Sequence, residues 1–135
     1  MNIDLAKLNF IFHHKPLLIG GKAMEYYGIR PAGKDIDFVI AADDHKRLVS
    51  QYPDHLKDLY GDIGVIEYEF EIWNTVCTFG HDYLKAGAAE EDNYLVVSIE
   101  KLLMLKAIAM KSSDKYKRDV ELIAEYILNR AYGKQ

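Results

Sequence analysis

Leu17-Leu18-Ile19-Gly20-Gly21-Lys22-Ala23-Met24-Glu25-Tyr26-Tyr27-Gly28, followed by Lys34-Asp35-Ile36-Asp37-Phe38-Val39-Ile40, is the stretch that decides the fold. A short apolar run predicts a strand. Gly20 and Gly21 turn the chain, Lys22 to Tyr27 predicts a short helix, and Gly28 can stop it. Arg30-Pro31-Ala32-Gly33 reads as a loop from its proline and glycine. A second strand then runs from Asp35 to Ile40 and carries two acids separated by one apolar residue. Alternate strand residues share a face, so these carboxylates stand side by side, with Cα atoms about 6.6–6.8 Å apart.

Two carboxylates crowded on one strand repel unless a cation lies between them. Magnesium takes oxygen ligands and keeps several waters, so a few acids suffice to hold it. A pair of such ions can grip the attacking and leaving oxygens of a phosphoryl group. Glycine allows close backbone approach to a ligand, and amides opening a helix favour phosphate. Asp35 and Asp37 therefore read as ligands for Mg²⁺ or Mn²⁺, with Gly20, Gly21 and Lys22 holding a triphosphate. The 13 residues between Gly21 and Asp35 make the combination sharper than either part alone.

A third acid is expected from a neighbouring strand. Residues 63–73 predict the third and longest strand, with Glu67, Glu69 and Glu71 alternating with Ile66, Tyr68, Phe70 and Ile72 on one face. Glu71 is the first choice and Glu69 the second, because register is not readable from sequence. The ordinary alternative is a solvent-facing side of an antiparallel strand.

The rest of the chain frames this centre. Residues 3–13 have the spacing of a short amphipathic helix ended by Pro16. His13-His14 would then sit at a helix end, about 100° apart around the axis, a poor arrangement for one metal ion. Asp43 or Asp44 is placed to cap a helix running to about Tyr52. Thr75 to Phe79 predicts a strand, with Cys77 in the core, and residues 87–93 a loop. Ser98 predicts an N-cap for a helix reaching about Met110, and a last helix runs from about Asp114 to Ala131. Arg30 and Lys34 are placed to pair with the neighbouring acids.

Bulk properties agree with one soluble α/β (α+β) domain over residues 1–135, a short mixed sheet flanked by helices and closed by two C-terminal helices. Lys plus Arg number 17 and Asp plus Glu 21, and a net charge of −4 argues against nonspecific coating of nucleic acid. One cysteine allows neither a disulfide framework nor a cysteine zinc site within the chain. No apolar run reaches the ~18–20 residues that span a bilayer. Asp4, His13, His14 and Lys15 interrupt any signal-peptide pattern, so a cytoplasmic location with no membrane partner is expected.

Apolar-Gly-Gly, a short helix, Gly28-Ile29-Arg30 and Asp-Ile-Asp-Phe-Val-Ile together resemble the core of the nucleotidyltransferase superfamily that includes DNA polymerase beta. In detail they resemble the small prokaryotic AbiEii-type nucleotidyltransferases over residues 17–40. Lys106 and Lys117-Arg118-Asp119 echo the family's tail more loosely. The resemblance implies that Asp35 and Asp37 bind metal, that Gly20 and Gly21 form the phosphate turn, and that Lys106 and Lys117 contact nucleotide phosphates. It implies transfer of a nucleoside monophosphate from an NTP to a protein, tRNA or small-molecule hydroxyl, in a toxin–antitoxin or phage-defence setting. Two departures stand out: the third acid would be Glu rather than Asp, and a large extra domain is missing. The alternatives are a catalytically degenerate fold that binds a nucleotide or a protein partner, and a purely structural module.

Overall fold

The computed structural model describes residues 1–133; Lys134 and Gln135 lie outside the described residues. The architecture is mixed α/β. A seven-stranded mixed sheet, a separate two-stranded hairpin and two C-terminal helices make up most of it.

Strand β1 (Leu17–Ile19) is wholly buried and runs without a loop into helix α1 (Gly20–Tyr26). Strand β2 (Ile36–Val39) returns antiparallel to β1, pairing Leu17 with Val39 and Ile19 with Asp37. Helix α2 (Ala42–Gln51) follows. Its cap is Ala41, and Asp43 and Asp44 lie in the first turn rather than at the cap itself. Acids there oppose the positive helix end.

The next stretch holds the largest departures from expectation. Exposed Leu56–Leu59 forms an edge strand, β3, that sequence periodicity does not reveal. Residues 63–73 are not one strand but a hairpin, β4 (Asp62–Glu67) and β5 (Phe70–Trp73), turning at Tyr68 and Glu69. The apolar Tyr68 mimics a strand residue but is exposed, with φ +55°. Thr75 to Phe79 is likewise a tight hairpin of β6 (Thr75–Val76) and β7 (Phe79–Gly80). Cys77 sits in its turn with φ +51°, and is therefore not a core strand residue.

Helix α3 (His81–Leu84) is short. The expected loop at 87–93 includes strand β8 (Ala89–Glu90), which pairs with β9 (Leu95–Val96). Helix α4 (Ile99–Met110) starts at Ser98, whose hydroxyl accepts the Lys101 N–H at 3.2 Å. A 3-10 turn at Asp114–Tyr116 leads into α5 (Lys117–Tyr132). The strand order is β3-β4-β5-β2-β1-β9-β8. Phe38, Phe70, Leu18, Ile72 and Leu48 are fully buried in one core.

The N-terminal segment is not an amphipathic helix. It forms only a 3-10 turn, Leu5–Leu8, ended by Asn9 in the left-handed region. His13 and His14 lie in a bend outside any helix, where Asp44 accepts both their backbone N–H groups. Among the described residues no helix is long and apolar enough to cross a membrane.

Candidate functional site

Strand β2 lies between β1 and β5, and that placement builds the site. It pairs antiparallel with β1 on one side and parallel with β5 on the other. The second pairing sets Asp37 level with Glu71. Residues paired across adjacent strands share a face, so the two carboxylates look out from the same side of the sheet. Asp35 lies just before β2, exposed and two residues from Asp37. Among the described residues none of these three acids enters an ion pair, although the structure forms several elsewhere.

Asp37 keeps part of its surface open to a cleft but is enclosed on most sides. That enclosure, with Glu71 and then Asp35 adding like charge, pushes its carboxyl up to about 6. The polar edge of the Trp73 side chain and the Lys106 charge pull the other way and do not offset it. Burial is the first cause of that shift, and the like charge of two neighbouring acids adds to it.

The glycine turn closes on the same carboxylate. Gly20 has φ +68°, and a Cβ built there would stand 2.8 Å from Asp37 Oδ2. Glycine is thus required twice over, by backbone conformation and by contact. At Gly21 an added Cβ would lie 3.7 Å from the Arg30 guanidinium.

Arg30 is the residue whose role the sequence leaves hidden. It does not pair with Asp35 or Asp37. Its guanidinium grips Asp119 in a two-pronged contact, 2.6 and 2.8 Å. Lys106 reaches the same carboxylate at 2.9 Å. Hydrogen bonding from Arg30, with Lys106 adding to it, holds Asp119 down to about 2. Two cations on one anion leave a net positive charge beside the glycine turn. The pairing spans 89 positions; its only trace in sequence is that Arg30 and the 117–119 segment both fall in the motif regions.

The remaining expected residues are placed differently. Glu69 is not on a face with Glu71. It lies in the β4–β5 turn, 2.9 Å from Lys7 Nζ, and that hydrogen bond holds its carboxyl below the usual range. Glu67 pairs with Phe70, while Glu71 pairs with Ile66, so the two glutamates face opposite sides. Glu67 meets His55 at 2.5 Å. Lys22 Nζ lies 4.0 Å from Glu25. Lys106 is buried against Asp119 and Tyr116 rather than free on its helix. Lys117 is exposed at the start of α5 and, among the described residues, forms no ion pair.

Beside Asp37 opens a cleft of about 190 Å³, walled by Ile19, Leu59, Trp73 and Val76, with Asp62 and Thr75 at its polar side. Gly64 makes room for one wall, since a Cβ there would stand 2.9 Å from the Trp73 ring. Asp62 braces the β6–β7 turn: it accepts from the Thr75 hydroxyl at 2.6 Å and from the Cys77 and Thr78 N–H groups at 2.9 and 3.2 Å.

The donor set of Asp35, Asp37 and Glu71 is oxygen only, which suits magnesium or manganese rather than a softer metal. The crowding at Asp37 is the observation that fits such an ion. Compared with known proteins, the chain matches no family model, no curated protein and no solved structure.

Proposed function

We propose that the chain is a metal-dependent nucleotidyltransferase, moving a nucleoside monophosphate from an NTP to an acceptor hydroxyl with release of pyrophosphate. One observation carries the reading: Asp37 faces the glycine turn on one side and Glu71 on the other, with Asp35 two residues away and, among the described residues, no cation paired to any of them. The nucleotidyltransferase resemblance of residues 17–40 supports it.

In this scheme Asp35, Asp37 and Glu71 would hold Mg²⁺ or Mn²⁺. When bound, the ion would neutralise charge on the phosphates. Gly20 and Gly21 give the triphosphate a close backbone approach. Arg30 and Lys106, fixed by Asp119, supply positive charge behind that turn. The apolar walls of the cleft exclude water from one side of Asp37. A carboxylate at the rim of the acid group, Glu71 by position, can accept the hydroxyl proton of the acceptor. The single cysteine and the absence of a membrane-crossing helix among the described residues support a cytoplasmic setting. The acceptor is a protein, tRNA or small molecule, and a toxin–antitoxin or defence role follows from the same resemblance.

The test is an assay with each α-³²P-labelled NTP, Mg²⁺ or Mn²⁺, and cell extract as acceptor, beside calorimetry of NTP binding. Label transfer that depends on the metal and on Asp37 supports the reading. Nucleotide binding without transfer to any acceptor would leave a binding module in its place, and no binding at all would overturn both.

A further inference from the structure

A second cluster of ligating side chains lies away from the acid group, where the N-terminal segment meets α2. His13 and His14 are neighbours in a bend, not on a helix, so their rings need not diverge as helical neighbours do. The bend is held by the fully buried Asp44, which accepts the His13 and His14 N–H groups at 2.9 and 3.0 Å and pairs with Arg47. Asp44 is thereby engaged in structure, and Asp43 beside it retains an exposed carboxylate.

Each ring stands beside one of these two carboxylates. His14 Nε2 lies 3.7 Å from Asp43 Oδ2, and His13 Nδ1 lies 4.0 Å from Asp44 Oδ1. One ligand atom each from His13, Asp43 and Asp44 fall within 4.8 Å of one another. Ligands on one tetrahedral zinc ion stand about 3.3–3.5 Å apart, from bond lengths of about 2.0–2.1 Å. The two imidazoles are more than half exposed, at 57% and 51%, and are free to close that gap. A further histidine faces the same groove. His81 lines it with His14 and Asp43 and is only 5% exposed. Its Nε2 lies 2.9 Å from the Lys15 carbonyl and so carries the proton, while its buried Nδ1 has no partner. A ring with one nitrogen donating to a carbonyl and a bare lone pair on the other has the tautomer of a metal ligand.

The geometry points to a binding site for a divalent transition metal of the zinc class, formed by His13 and Asp43 over Asp44, with His14 beside Asp43. Imidazole nitrogen with carboxylate oxygen selects such an ion over magnesium, which separates this site from the oxygen-only group at Asp37. Occupancy ties the N-terminal segment to the first turn of α2.

Calorimetry of the full chain with zinc chloride tests it. The expected result is one equivalent bound, with affinity reduced roughly 10- to 100-fold or more in the H13A/H14A double variant and in D43N, and unchanged in D37N and E71Q. Both histidine rings are largely exposed, so these variants keep the fold, which circular dichroism verifies. A zinc-dependent rise in Tm should be present in the wild type and absent in H13A/H14A. No zinc binding by the wild-type chain overturns the proposal. So does equal affinity in the H13A/H14A variant, or a loss seen only in D37N.

Discussion

Asp37 and Gly20 are in direct apposition: the carboxylate Oδ2 lies 2.8 Å from where a Cβ on Gly20 would stand. Gly20→Ala therefore meets two penalties. The left-handed backbone costs an L residue about 1–2 kcal/mol, and the new methyl must push Asp37 off its position. We expect a stability loss of that order, seen as a fall in Tm, together with loss of nucleotidyl transfer. A variant with the Tm loss but full transfer would show that the contact is structural only.

Asp37→Asn should stabilise the protein at neutral pH while abolishing transfer. The folded state raises this carboxyl from 3.8 to about 6, so ionising it costs stability. Below the unfolded value both states hold the proton and no cost arises. The cost grows between pH 4 and 6 and is complete above, at up to about 3 kcal/mol. Urea unfolding of the two proteins should agree near pH 4 and diverge above pH 6, with the variant the more stable. Millimolar Mg²⁺ should narrow the divergence by stabilising the wild type alone. A pH-independent difference would contradict this account.

Glu71→Gln and Glu69→Gln separate the two glutamates. Glu71 is level with Asp37, whereas Glu69 is paired with Lys7 in the turn. Removing Glu71's charge should lower metal-dependent turnover by roughly 10²- to 10³-fold, the scale of losing one preorganised electrostatic group. Glu69→Gln should leave turnover unchanged and stability nearly so, since exposed pairs contribute little. Reversed effects would move the third acid to the turn.

Asp119→Asn leaves Arg30 and Lys106 without their shared anion. Fully buried pairs lose about 3–5 kcal/mol when one partner is removed, and part-exposed Arg30 should bring the loss nearer ~2–3 kcal/mol. The wild type holds this carboxyl down to about 2. Its stabilisation is present above the unfolded value and is lost as pH falls from about 4 towards 2. The gap between wild type and variant should close over that window. In the transfer assay, the KM for NTP should rise more than kcat falls, because the loosened cations sit behind the glycine turn.

The glycine turn, both strands around it and the Ser98 cap are legible in sequence because each rests on a local rule: positive φ, alternation, or a side chain bonding the first turn. Residues 63–73 are misleading for the same reason. Tyr68 continues the apolar alternation through what is in fact a turn, and so puts three glutamates on a face they do not share. Leu56–Leu59 carries no alternation and is exposed throughout, so only its pairing with β4 makes it a strand. The N-terminal segment has helical spacing, but it is too short to nucleate a helix alone and instead lies against α2 through Asp44. Arg30 and Asp119 lie far apart in the chain, and no local rule joins them.

Trp73, packed over Gly64 and lining the cleft with Asp37, is the sole tryptophan of the chain. Its indole emission accordingly comes from one place, the wall of the cleft beside the acids. Proton uptake there, arrival of a cation, or a guest entering the groove will each alter that glow. The protein thus carries an unlabelled optical gauge at the spot where its chemistry is proposed to happen.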